Sequence, residues 1–165
     1  MEWGCHLLRN FSLPILAFIV FLSQTAYSLN LTGRLGMGLS NQLANDIPAI
    51  SFKVQNSASS AYGGLVAIDS STNYTDYGLG VKGYRLLFDE PHLNFYFAGM
   101  AALLKKNDKS GYQIDGTMGS EFHIPGLESI GLSFEFGLSF NKVNDVRHFQ
   151  TTGDHFVTAA VHFYL

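Results

Sequence analysis

The run Ile130-Gly131-Leu132-Ser133-Phe134-Glu135-Phe136-Gly137-Leu138-Ser139-Phe140-Asn141 decides the fold. Each even-numbered residue is large and apolar; each odd-numbered one is Gly, Ser, Glu or Asn. Side chains along a strand alternate between two faces, whereas a helix returns an apolar residue every three or four positions. This segment therefore reads as a strand with one apolar and one polar face. Working outward, Leu31, Gly33, Leu35, Met37 and Leu39 oppose Thr32, Arg34, Gly36, Gly38 and Ser40 in the same way.

Further strands are expected near 47–54, 61–68, 76–86, 93–103 and 111–122, with the opening run inside 129–141 and a last strand over 154–165. Turn formers separate them, among them Asn56 to Ser60, Asp69 to Asn73, Asp89-Glu90-Pro91, Asn107 to Ser110 and Pro125-Gly126. Pro48, Pro91 and Pro125 fall at strand ends or in turns, where a missing N–H breaks no ladder. The count is eight, an even number, as single-chain bacterial barrels require.

Composition agrees with a two-faced β-protein. Of 165 residues 47% are hydrophobic and only 14% charged, against roughly 25% charged in ordinary soluble domains. A net charge of −3, with no Lys/Arg cluster beyond Lys105-Lys106, gives no footprint for nucleic acid. Arg9 precedes an apolar run from Phe11 to Leu22, and Ala26-Tyr27-Ser28 offers small residues where a signal peptidase cuts. Residues 1–28 thus read as a secretory signal peptide and 29–165 as the barrel. Cys5 and Trp3 leave with the signal, so no disulfide is expected. No later apolar stretch reaches the ~20 residues of a membrane helix, and a membrane-spanning chain without helices must close a barrel.

The expected fold is all-β, an eight-stranded antiparallel up-and-down transmembrane barrel with lipid outside. The polar face is rich in Gly, Ser, Thr and Ala, which suit the narrow interior of eight strands. The apolar face carries aromatics near both strand ends: Tyr62, Phe95, Phe122 and Phe163 at one, Tyr77, Tyr112 and Phe140 at the other. Two aromatic girdles mark the interfaces of a membrane barrel. A soluble lipocalin-like ligand-binding barrel, with the apolar face turned inward, is the alternative.

The last segment sets Val157, Ala159, Val161, Phe163 and Leu165 in alternation up to the final residue. Val161, Phe163 and Leu165 resemble the C-terminal signal by which Gram-negative outer-membrane barrels are taken up for assembly, although that signal more often ends in Phe. In pattern and length the mature chain is similar to the small eight-stranded class of the OmpA membrane domain and OmpX. The resemblance implies a bacterial outer-membrane location, the barrel assembly machinery as a partner, contact with outer-membrane lipids and lipopolysaccharide, and a monomer. It also places short periplasmic turns at 56–60, 88–92 and 123–128. Loops around Gln42, Ser70, Asn107 and 143–153 would face outside, the last being the longest.

Arg34, Lys53, Lys82, Asp115, Glu121 and Glu135 lie on the polar parity, so they are expected in the lumen. There they form either a structural ion-pair network or a gate in which Glu121 or Glu135 exchanges partners between Arg34 and Lys82. The expected role is structural or surface-interacting, with a narrow gated pore as a further option. A lipid-modifying barrel enzyme is the competing class. His155 with Ser139, or His148 with Thr151, are the pairs to consider, but the His-x-Ser pair of lipid A deacylase barrels is absent and no catalytic set is expected. His92, His123, His148, His155 and His162 lack close metal-ligand spacing, so no metal or cofactor is expected.

Overall fold

The computed structural model describes residues 31–72, 74–152 and 157–165; the expected signal peptide lies outside them. Nine strands follow one another: β1 (Leu35–Ser40), β2 (Ala49–Ser57), β3 (Ser60–Ser70), β4 (Thr75–Glu90), β5 (Leu93–Lys106), β6 (Lys109–Ile124), β7 (Leu127–Val143), β8 (Val146–Thr151) and β9 (Thr158–Tyr164). From β1 to β7 each strand pairs antiparallel with the next, and β9 pairs with both β7 and β1, closing the sheet. The result is a closed eight-stranded antiparallel barrel with one extra strand, β8.

Strand β8 was not expected. Residues 143–153 read as a loop, yet a two-residue turn at Asn144-Asp145 sends the chain straight back along β7. Both turn residues have left-handed φ, 51° and 65°, the requirement of the hairpin turn whose twist matches the strands. Asn and Asp tolerate that region, and Asn107-Asp108 do the same between β5 and β6, at 51° and 60°. Strand β8 and then β9 run along the same edge of β7: Thr151 opposes Leu138, and Thr158 opposes Glu135.

The turns fall at two rims. One holds the β2–β3 turn, Pro91-His92 and Pro125-Gly126, along with the starts of β1 and the end of β9. Gly126 has φ +83°, as the third position of a Pro-Gly turn requires. At the other rim lie 41–48, Ser71, Thr72 and Tyr74, Asn107-Asp108 and Asn144-Asp145.

Two further differences are local. The alternation of the first segment begins at Leu35, not Leu31. Gly33, at φ +80°, turns the chain, and Leu31 is fully buried instead of sharing the outer face with Leu35. The loop around Gln42 does not project outward: Gln42, Leu43 and Asn45 are buried. Leu43 joins Leu65, Met100 and Leu104 of the inner face, because an apolar side chain beside an apolar cavity is removed from water by folding in.

The two faces of the wall differ sharply. Outward-facing Leu79, Val81, Phe97, Leu103, Ile114, Phe134, Phe136 and Leu138 are exposed, as are all the expected girdle aromatics except half-buried Tyr112. Phe149 of β8 sits opposite Phe140 and continues the second girdle. Among the described buried residues, polar and charged ones outnumber hydrophobic ones.

Candidate functional site

Alternation carries the polar residues of β2, β4, β6, β7 and β9 into a common interior, where two ion pairs form. Lys53 Nζ lies 2.6 Å from Glu121 Oε2, and Lys82 Nζ lies 2.6 Å from Glu135 Oε2. All four side chains are almost wholly buried. Charges withdrawn from water persist only where partners satisfy them, and these are well supplied. Glu121 Oε1 accepts from the Tyr164 hydroxyl at 2.6 Å and from Ser133 at 3.4 Å. Glu135 accepts from Tyr96 at 2.8 Å and Thr117 at 2.9 Å.

Aromatic rings join the pairs into one assembly. Tyr84 and Tyr96 meet edge-to-face at 5.3 Å. Lys53 and Lys82 stand 4.8 Å and 5.0 Å from the centre of the Tyr84 ring, within reach of a cation–π attraction. Glycines on neighbouring strands make room for these rings. A Cβ on Gly131 would lie 3.0 Å from the Tyr164 ring, one on Gly36 2.9 Å from it, and one on Gly119 2.8 Å from Tyr96.

Above the Lys82–Glu135 pair the folded-in loop is bound to the network. Gln42 Oε1 accepts from Lys82 at 2.6 Å while its Nε2 donates to Asp115 at 3.3 Å. Gln113 donates to Asp115 and to the Gln42 carbonyl, and its Oε1 accepts from the Ala44 N–H at 2.8 Å. The loop thus plugs one end of the lumen, with an apolar layer of Leu43, Leu65, Met100 and Leu104 beside it.

Of the six charged residues selected on parity, five share this interior: Lys53 with Glu121, Lys82 with Glu135, and Asp115 through Gln42. Arg34 stands apart at the rim, donating to the carbonyl of Tyr164 at 2.8 Å and, more weakly, to Ser129 and the Leu165 carbonyl. The turn at Gly33 carries it there, so neither glutamate has it as a partner. In the terminal segment Phe163 and Leu165 are exposed and Val161 half-buried.

Further polar residues complete the interior: Gln42 from the folded-in loop, Tyr84, Tyr96 and Tyr164 on the inner parity of their strands, and His123 and His162, weighed from sequence only as metal ligands. One contact among them has the order of a nucleophile, a base and an acid. Ser51 Oγ is 2.9 Å from His162 Nε2, and His162 Nδ1 is 3.8 Å from Glu121 Oε1. The histidine–carboxylate distance is too long for a hydrogen bond. Glu121 is held by Lys53 and Tyr164, and all three residues are at most 3% exposed. The arrangement packs the lumen and leaves a substrate no approach to Ser51. Of the pairs weighed from sequence, His148 and Thr151 lie on β8 at opposite parity and so on opposite faces. Ser139 is buried, and His155 lies outside the described residues. No group of three metal-ligating side chains converges among the described residues.

Set against protein families, curated proteins and solved structures, the chain gives no match.

Proposed function

We propose that this chain is a small outer-membrane barrel with a structural or surface-interacting role, its lumen closed by its own ion pairs and plug loop. One observation carries the reading: the wall is inside-out, with a belt of exposed Leu, Val, Ile and Phe around buried Lys, Glu, Asp and His. In water such a belt is an aggregation hazard. In a bilayer it is the favourable face, and every backbone group of a closed barrel is satisfied internally. The aromatics at both ends of the belt fit the two interfaces. Secretion, contact with lipopolysaccharide and assembly through the segment ending in Val161, Phe163 and Leu165 belong to the same reading. It assigns no catalytic group.

Fractionation with a gel-shift test checks it. The protein is expected in outer membranes, migrating differently before and after boiling in SDS. A soluble periplasmic protein showing no shift would overturn the proposal and favour a soluble barrel.

A further inference from the structure

At the plugged rim the described residues leave a gap in the wall. Beyond Ser40 the chain leaves the sheet to enter the lumen, and β8 pairs only with β7 among the described residues. Between β8 and the 41–48 loop lies a cleft in two adjoining chambers. The inner, about 190 Å³, is bordered by Asn41, Gln42, Gln113, Ser139 and Gln150 over an apolar floor that includes Leu43 and Pro48. The outer, about 310 Å³, is bordered by Asn141, Asn144, His148 and Gln150 with Val143 and Val146.

We infer that this cleft binds a neutral saccharide. Carboxamides dominate its polar lining, and each offers two donors and an acceptor, the complement of a hydroxyl that both gives and receives. Gln42, Gln113, Asn41 and Asn141 are held by hydrogen bonds within the protein, while the face of β8 is open. Gln150 and His148 make no side-chain hydrogen bond among the described residues, and both are exposed where they border the outer chamber. Charge argues against an anion: no Lys or Arg borders either chamber, and the carboxylate at the edge, Asp46, is already paired with Lys106. Val143, Val146 and Leu43 provide apolar surface for the C–H faces of a ring. The chamber sizes suit one or two sugar rings. The shared chemistry is the vicinal hydroxyl, whether from a free glycan or from the core sugars of a neighbouring lipopolysaccharide.

The inference needs only the barrel and its rim, so membrane fractionation and saccharide binding fail independently. The full chain, purified folded in a detergent without a sugar headgroup, is titrated with glucose, galactose, maltose, lactose and a delipidated core oligosaccharide. NMR follows the side-chain amides of Gln113, Asn144 and Gln150. At least one sugar is expected to shift these signals with a Kd near ~1 mM, about −4 kcal/mol. Gln150→Ala and Asn144→Gly are each expected to weaken it about tenfold. Gln150 is exposed, and glycine accepts the left-handed φ of Asn144, so both variants retain the fold, which the gel shift verifies. A response to the free disaccharides assigns a soluble glycan; a response to the core oligosaccharide alone assigns the neighbouring lipid. No shift at these amides up to about 50 mM, an equal response in both variants, or shifts with inorganic phosphate or a polar peptide alone would overturn the inference.

Discussion

Lys53 and Glu121 show how a buried charge fixes a lumen. Glu121→Gln keeps an acceptor for Tyr164 but leaves the Lys53 ammonium unpaired, and a loss of about 3–5 kcal/mol is expected. Replacing both partners, Lys53→Met with Glu121→Leu, is expected to recover most of it, since the desolvation cost disappears with the charges. Urea titration in micelles, scored by the folded gel band, measures both. Gly131→Ala tests the ring packing independently. Its added methyl would meet Glu121 Oε1 at 2.8 Å as well as the Tyr164 ring, and overpacking of this kind costs about 1–3 kcal/mol. At this scale parity was legible: it sent Lys53, Lys82, Asp115, Glu121 and Glu135 inward. Partner choice was not, because strand tilt and stagger set which levels meet across the lumen. Arg34 escaped the rule because a single left-handed glycine broke the alternation before it.

Period two disclosed the strands of the closed wall but was silent on the segments between them. The 41–48 loop has no period to read, so its entry into the lumen was hidden; only the apolar Leu43, Ala44 and Ile47 within it hinted at it. The plug is only one of two closures, since the ion pairs and the Tyr84 and Tyr96 rings fill the lumen beneath it: neither the unmodified barrel nor a variant lacking 43–46 is expected to show a steady conductance in a planar bilayer. A steady current from the deletion alone would make the loop the sole closure. Strand β8 was missed because Asn-Asp was not taken as a hairpin turn. That turn also responds to acid. Hydrogen bonds from Lys142 and Lys109 hold the Asp145 carboxyl below the usual aspartate range. A depressed carboxyl contributes its ties fully above the ordinary value, about 3.9, and loses them as pH falls through its own lower midpoint. The Asp145 carboxyl carbon is therefore expected to titrate below an ordinary Asp, and Lys142→Met with Lys109→Met to return it to the normal range.

Across the whole molecule the apolar parity faces out and the polar parity in. The alternation of residues 130–141 disclosed that there are two unlike faces, and the small residues of the polar one and the aromatics at the strand ends pointed to which is inside. The proposed contact with lipid is open to test. Phe136, exposed on the outer wall opposite Met118, tests the assignment directly. Phe136→Arg near the middle of a bilayer is expected to cost about 2–4 kcal/mol, whereas on a water-facing surface it would be nearly neutral. Folding yields into lipid vesicles, compared for the two proteins across a urea series, distinguish these outcomes. The upper half of β7 keeps β6 along one edge, but beyond Glu135 its other neighbour is β8 and no longer β9. Asn144-Asp145 therefore sits at the tip of a hairpin whose outer strand, β8, takes no part in the pairing that closes the cylinder. A foreign peptide spliced between these two residues would ride on that hairpin while the cylinder below assembled unchanged, making the molecule a compact carrier for presenting guest sequences.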